Sequence, residues 1–243
     1  MKPPSTRLSA LPVGVALIGF LLLAVAGPAY RLGLLALETA YGVMRWGAYV
    51  GAAAIIAGLI LGTLAYRQKK GLATTLALTG VVLGLVAVIP TYAWQRRLRT
   101  APPIQDLTTD LDNPPAFVAI APLRTGADVA LDRAPLLVTQ QRDGYPDLAP
   151  VTLSLPPDRV FNRALDVIQR LGWETVDSDQ AAGRIEATDT SAWFGFKDDV
   201  VVRVTPWGTG ARVDVRSVSR LRRNDGGEGA QRIRDFLDAL QAD

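Results

Sequence analysis

Charge disappears from the chain in three long runs, at residues 11–29, 46–66 and 72–94. Each is close to the roughly 20 apolar residues that a helix needs to cross a hydrocarbon core. The spacing predicts three membrane-spanning helices within residues 1–99. After residue 100 the rhythm changes. Residues 100–150 hold eight prolines and little periodicity, which predicts an extended strap packed along a domain. From 151 onward the pattern is regular. Residues 151–155 read as a strand, and Pro157 and Asp158 suit the first turn of a helix. Val160, Ala164, Val167, Ile168 and Leu171 recur at helical spacing, and Gly172 supplies a stop. Strands are predicted at 173–176, 184–190, 199–205 and 211–219, with Val200, Val202 and Val204 alternating against Val201, Arg203 and Thr205. A last helix carries Ile233, Phe236, Leu237 and Leu240 on one stripe.

The expected fold class is therefore an α-helical transmembrane bundle of about three spans followed by an α+β soluble domain at 151–243. The soluble order is β-α-β-β-β-β-α. Consecutive strands with short turns make the sheet antiparallel, and two packed helices cover one face in a helix-grip-like arrangement.

Charge sharpens this division. Residues 1–100 carry ten Lys or Arg against the single acid Glu38, a net +9. The remaining 16 basic and 22 acidic residues leave the rest of the chain at −6. The overall +3 thus belongs to the membrane flanks, and an acidic soluble part is a poor nucleic-acid surface. The 243 residues include no Cys and no His. That excludes disulfides, thiolate nucleophiles, Cys/His zinc sites and a His general base. No cofactor is expected.

Two readings exist for the first apolar run. A basic start at Lys2 and Arg7 followed by Ala24-Val25-Ala26 resembles a cleaved signal peptide. A retained first span is preferred, because apolar character resumes after Gly27-Pro28. Residues 30–45 are then read as a short connection carrying Arg31, Glu38 and Arg45. Basic flanks divide five against five between the two sides, but the compact loop Arg67-Gln68-Lys69-Lys70 favours the cytoplasm. A multi-pass protein of a bacterial inner membrane, with its soluble domain in the periplasm, is the expectation. The spans contain Gly47-x-x-x-Gly51, Gly58-x-x-x-Gly62 and Gly80-x-x-x-Gly84, which suit close packing of the second and third helices, with a homo-oligomer as the alternative. No ionisable residue lies inside the spans, which disfavours a transporter core.

Several residues are candidates for chemistry. Arg203, Arg216 and Arg220, with Ser217 and Ser219 between them, offer forks for an anionic ligand such as a lipid headgroup. The competing reading pairs those arginines with Asp198, Asp199, Glu186 and Asp214 in a solvated network. Trp193, Phe194 and Phe196 surround Gly195 and would line an apolar pocket, meet the membrane surface, or simply pack in a core. Asp106, Thr109, Asp110 and Asp112 share a proline-bracketed loop, where local turns are favoured over a bound metal. Arg220, Arg222 and Arg223 form a basic loop that would touch anionic lipid or remain solvated.

Several motifs carry a family resemblance. Pro102-Pro103-Ile104-Gln105-Asp106-Leu107-Thr108-Thr109-Asp110 and Pro114-Pro115-Ala116-Phe117 resemble the opening of the domain of unknown function numbered 1499. Gly195-Phe196-Lys197-Asp198-Asp199-Val200-Val201-Val202-Arg203 and Asp214-Val215-Arg216-Ser217-Val218-Ser219-Arg220 resemble its centre, and Arg232-Ile233-Arg234-Asp235-Phe236-Leu237 its closing helix. The resemblance spans about 101–240 and implies an envelope protein, often behind membrane helices, with no established reaction. Similar sequences often hold histidine where this chain has Gln105, so any chemistry of that histidine is missing here. The loop after Arg220 is also more basic than the family's glycine-containing form.

The functional expectation is a membrane-anchored, non-enzymatic module that binds an envelope protein or an anionic or lipidic ligand. The alternative is a membrane-bound hydrolase or transferase using Asp106, Asp110, Asp198 and Asp199, which would have to converge in one cleft.

Overall fold

The computed structural model describes residues 6–132, 134–221 and 224–242. It divides into two compact units, one of residues 1–96 with Trp193–Gly195, the other of 97–192 and 196–243.

The first unit is built on three helices long and apolar enough to cross a membrane: α1 (Thr6–Arg31), α2 (Leu37–Arg67) and α3 (Gly71–Thr100). Their buried positions are almost all small and step by three and four. In α2 they run Ala40, Met44, Gly47, Gly51, Ala54, Gly58, Gly62 and Ala65; in α3, Ala73, Ala77, Gly80, Gly84, Ala87 and Thr91. Lipid offers no hydrophobic drive between helices, so close backbone approach supplies the attraction. A Cβ at Gly84 would lie 2.6 Å from the Gly51 carbonyl, and one at Gly19 would lie 2.8 Å from that of Gly47. Gly80 faces Pro12 of α1, and Gly58 faces Ala77 of α3. The glycine motifs are thus occupied by contacts within the bundle. The connection expected at 30–45 is shorter than the pattern implied. The 37–45 stretch is already helical, because Ala40 and Met44 extend the buried seam of α2.

The second unit contains a six-stranded antiparallel sheet in the order β1-β6-β5-β4-β3, with β2 also paired to β6. The strands are β1 (Asp106–Thr108), β2 (Val151–Leu153), β3 (Glu174–Asp179), β4 (Arg184–Thr190), β5 (Lys197–Trp207) and β6 (Gly210–Ser219). A short helix, α4 (Pro135–Gly144), precedes β2. Helices α5 (Pro157–Arg170) and α6 (Glu228–Ala242) share one core with the sheet. Pro157 starts α5, and Gly172 ends its last turn at φ +76°, a conformation that glycine adopts without steric cost. Val160, Phe161, Ala164, Val167 and Ile168 of α5 meet Ile233, Phe236, Leu237 and Leu240 of α6 over Val200, Val202, Val213 and Val215. Trp173 stacks on Phe236, with ring centroids 5.8 Å apart.

The proline-rich 100–150 segment is not wholly extended. It contributes strand β1, a 3-10 turn at Ala121–Arg124 and helix α4. Pro122 and Pro135 sit near the starts of these helical turns, where a missing N–H costs nothing. The Gln141 side chain of α4 exchanges two hydrogen bonds with the Thr108 backbone, occupying edge groups of β1 as a neighbouring strand would.

Candidate functional site

Strand alternation sends two sets of side chains to opposite faces of the sheet. Val200, Val202, Val213 and Val215 go to the helix side. Asp199, Val201 and Arg203 of β5 lie opposite Val218, Arg216 and Asp214 of β6 on the other side. Glu186 and Thr188 of β4 and Asp106 of β1 join them through register. An alternating antiparallel sheet ordinarily turns such charges to water. Here the strap covers them. Phe117 and Ile120 pack on Val201 and Val218, with Val129 and Leu131 beside them.

The charges then find partners under that cover. Arg216 grips Asp106 with two 2.9 Å bonds and donates to the strap carbonyls of Pro115 and Leu131. Its guanidinium also lies over the Phe117 ring. Asp199 receives Arg220 in a fork at 2.8 and 2.9 Å, Arg124 from the strap, and the Thr188 hydroxyl. Arg124 reaches on to the carbonyls of Val129, Val218 and Ser219. Glu186 accepts three successive strap N–H groups, from Val118, Ala119 and Ile120. Asp110 and Asp214 each bind both Arg203 and Arg212. Burial pushes the Asp110 carboxyl up, but the Asn113 N–H and the charges of Arg212 and Arg203 outweigh it and hold it below the usual carboxylate range.

The candidate residues therefore separate. Asp106, Thr109, Asp110, Asp199, Arg203, Arg216 and Arg220 fasten the strap and the strap face. The Thr109 hydroxyl accepts the Val215 N–H, extending the ladder beyond β1. Asp198 and Ser217 point to the helix side, where Arg232 of α6 binds both of them and Asp189. The Ser219 backbone pairs with Gln105 and Arg124. Phe196 is buried, its N–H donating to the Ser191 hydroxyl. Trp193 and Phe194 belong instead to the helical unit, where Phe194 packs against Tyr30 and Tyr41. Arg222 and Arg223 lie outside the described residues. Among the described residues no group of three or more carboxylates converges as a metal cage.

Arg124, Arg212 and Gln141 take part without having been singled out in the sequence. Each lies in or pairs with a segment of weak periodicity, so no spacing marked it.

Most of the stretches quoted for their family resemblance meet across the strap and sheet, while the closing stretch, Arg232–Leu237, packs on the helix side. A family model described as "Protein of unknown function (DUF1499)" matches residues 106–240. The chain belongs to this family. Its DUF1499 region takes in β1, the strap, α4, the whole sheet and most of α6. No curated protein matches the chain. Among solved structures, the protein TTHA0849 from Thermus thermophilus is similar at 15% identity over 39% of this chain and 92% of that one, with a TM-score of 0.26.

One open cleft of the second unit lies beside α6. It has a volume of about 670 Å³. Trp173 and Tyr145 form apolar wall, and the polar lining mixes Arg97, Arg232, Arg234, Gln231 and Ser191 with the acids Asp189, Glu228 and Asp235. Arg232 is committed to Asp189 and Asp198, and Arg234 to Asp147. Arg97 is exposed on the rim.

Proposed function

We propose that this chain is a membrane-anchored binding module of the bacterial envelope, whose soluble unit receives an anionic amphiphile in the cleft beside α6. One observation carries this reading. The carboxylates that a hydrolase would use are split between two faces of the sheet, and arginines hold each of them. Asp106, Asp110 and Asp199 serve the strap, while Asp198 serves Arg232. A general base or nucleophile needs a carboxylate that faces an open site. The cleft offers a different chemistry. Aromatic walls suit an apolar body, and the Arg97 guanidinium suits a phosphate or carboxylate head.

The test uses the full chain in lipid nanodiscs, titrated with a short-chain phosphatidic acid. Arg97→Ala is expected to weaken binding about tenfold, the scale of a lost charge-assisted hydrogen bond. Because Arg97 is exposed, its loss leaves the fold intact. Unchanged affinity in the variant would remove the cleft from the proposal. Turnover of a small molecule that is lost in Asp198→Asn would replace binding with catalysis.

The module is placed in the inner membrane with its soluble unit exported, on the argument that long domains after a span translocate largely regardless of charge. A reporter fused after Asp243 and active only outside the cytoplasm is expected to be active. A cytoplasmic reporter fused there giving the signal instead would reverse the orientation.

A further inference from the structure

The α2–α3 turn holds a second cavity, of about 600 Å³, at the far end of the helical hairpin. Arg67, Lys69 and Lys70 line it together with Tyr66, Thr74 and Thr75, and no acid among the described residues does. The single acid of the first 100 residues, Glu38, is at the other end of α2. We propose that this cavity is a seat for the phosphate of an anionic lipid headgroup.

Three features place a lipid there rather than a soluble anion. Tyr66 is 74% exposed and Leu72 is 67% exposed on either side of the turn, so apolar lipid-facing surface runs up to the cavity. A tyrosine at the end of a span sits at headgroup level, where phosphates lie. Each basic residue near an anionic bilayer surface adds attraction, and three of them line this cavity.

The backbone adds to the cations. The N–H groups of Gln68, Lys69 and Lys70 turn back onto Ala65 and Tyr66 and close α2. The first inter-turn bond of α3 is Thr74 N–H to the Lys70 carbonyl, so the N–H groups of residues 71–73 precede the helical ladder. The positive end of this 30-residue helix therefore opens at the same cavity as the three side chains. Gly71, which lines the cavity, lets an oxygen approach the backbone closely. In the topology proposed above the seat faces the cytoplasm. It is independent of the cleft beside α6, and neither proposal needs the other.

The experiment is native mass spectrometry of the full chain released from nanodiscs containing equal amounts of phosphatidylglycerol and phosphatidylcholine. The wild-type chain is expected to retain phosphatidylglycerol preferentially. In the variant Arg67→Gln/Lys69→Gln/Lys70→Gln this preference should fall about tenfold or more, on the scale of the three lost charges. Lys69→Gly is the second variant. It keeps a residue suited to the φ of +55° found at Lys69 and removes the ammonium together with its alkyl stem, so a partial loss is expected without disturbance of the turn. Equal retention of both lipids by the wild type, or full preference in the triple variant, overturns the proposal. Displacement of the lipid by millimolar inorganic phosphate would also overturn it, because the site would then belong to the free anion.

Discussion

Replacing Asp199 with Ala is expected to destabilise the soluble unit by about 3–5 kcal/mol, the cost of removing one member of a buried ion pair. The Asp199 side chain has no exposure and receives Arg124, Arg220 and the Thr188 hydroxyl. Its loss leaves the Arg124 guanidinium, itself 5% exposed, without that counter-charge. Water cannot reach that charge unless the strap lifts. A typical domain has only about 5–15 kcal/mol in total, so the loss takes a large share of it. Urea unfolding of the full chain, read by hydrogen exchange in β5 and β6 peptides, measures the effect. Asp199→Asn keeps one acceptor for Thr188 and should cost less. A loss below about 1 kcal/mol would mean that the network behaves as a solvated surface one, where pairs contribute that little. The competing sequence reading, a solvated network with Asp198, Asp199, Glu186 and Asp214, contains the pairs Arg203–Asp214 and Arg220–Asp199 but not Arg216–Asp106, and the carboxylates of all three pairs are buried.

That burial was the part the sequence did not reveal. Periodicity showed the apolar runs of all three spans, both soluble helices and the order of the longer strands. Such patterns are local, and each rests on residues within a few positions of one another. The strap face is assembled from contacts between distant positions. Glu186 binds N–H groups 66 to 68 residues upstream, and Arg216 reaches Asp106 across 110 residues. The strap residues that cover them show neither period 2 nor period 3.6. Alternation along β5 and β6 identified two faces correctly, yet nothing in those strands says that the charged face is roofed. The bundle shows a similar limit. Glycines four apart were visible, but the whole seam of α2, from Ala40 to Ala65, includes alanines that are common everywhere in such helices. The family motifs carried what periodicity lacked. Their separated stretches, from Asp106 to Arg220, are the groups that meet in space, and this gives the signature a structural reading as the fastening of strap to sheet.

Arg216→Ala tests that reading at the strap itself. The variant should lose about 3–5 kcal/mol, again because an uncompensated carboxylate stays buried, here Asp106 at 2% side-chain exposure. Its signature should differ from that of Asp199→Ala. Arg216 bonds both ends of the covering segment, through the carbonyls of Pro115 and Leu131. Freeing those ends should raise hydrogen exchange across 115–131 before the sheet unfolds, and should expose the strap to limited proteolysis. Arg216→Lys retains the charge but not the planar fork, so Asp106 keeps a partner while the strap carbonyls lose theirs. It should therefore show the local opening with a smaller global loss. The pair Arg216→Met with Asp106→Leu, measured beside Arg216→Met and Asp106→Leu alone, closes a cycle. Removing both charges avoids an unpaired buried charge, so the double variant should be more stable than either of these single variants. If the double variant instead loses the full sum of the two, Arg216 and Asp106 act independently and the strap is held chiefly by Phe117 and Ile120. If global stability returns while 115–131 stays open, the ion pair supports the fold and the two carbonyl bonds hold the strap. The latter division is the expected one, because the two tasks overlap only at one nitrogen of the guanidinium: Nε serves Asp106, Nη1 serves Pro115, and Nη2 is shared between Asp106 and Leu131.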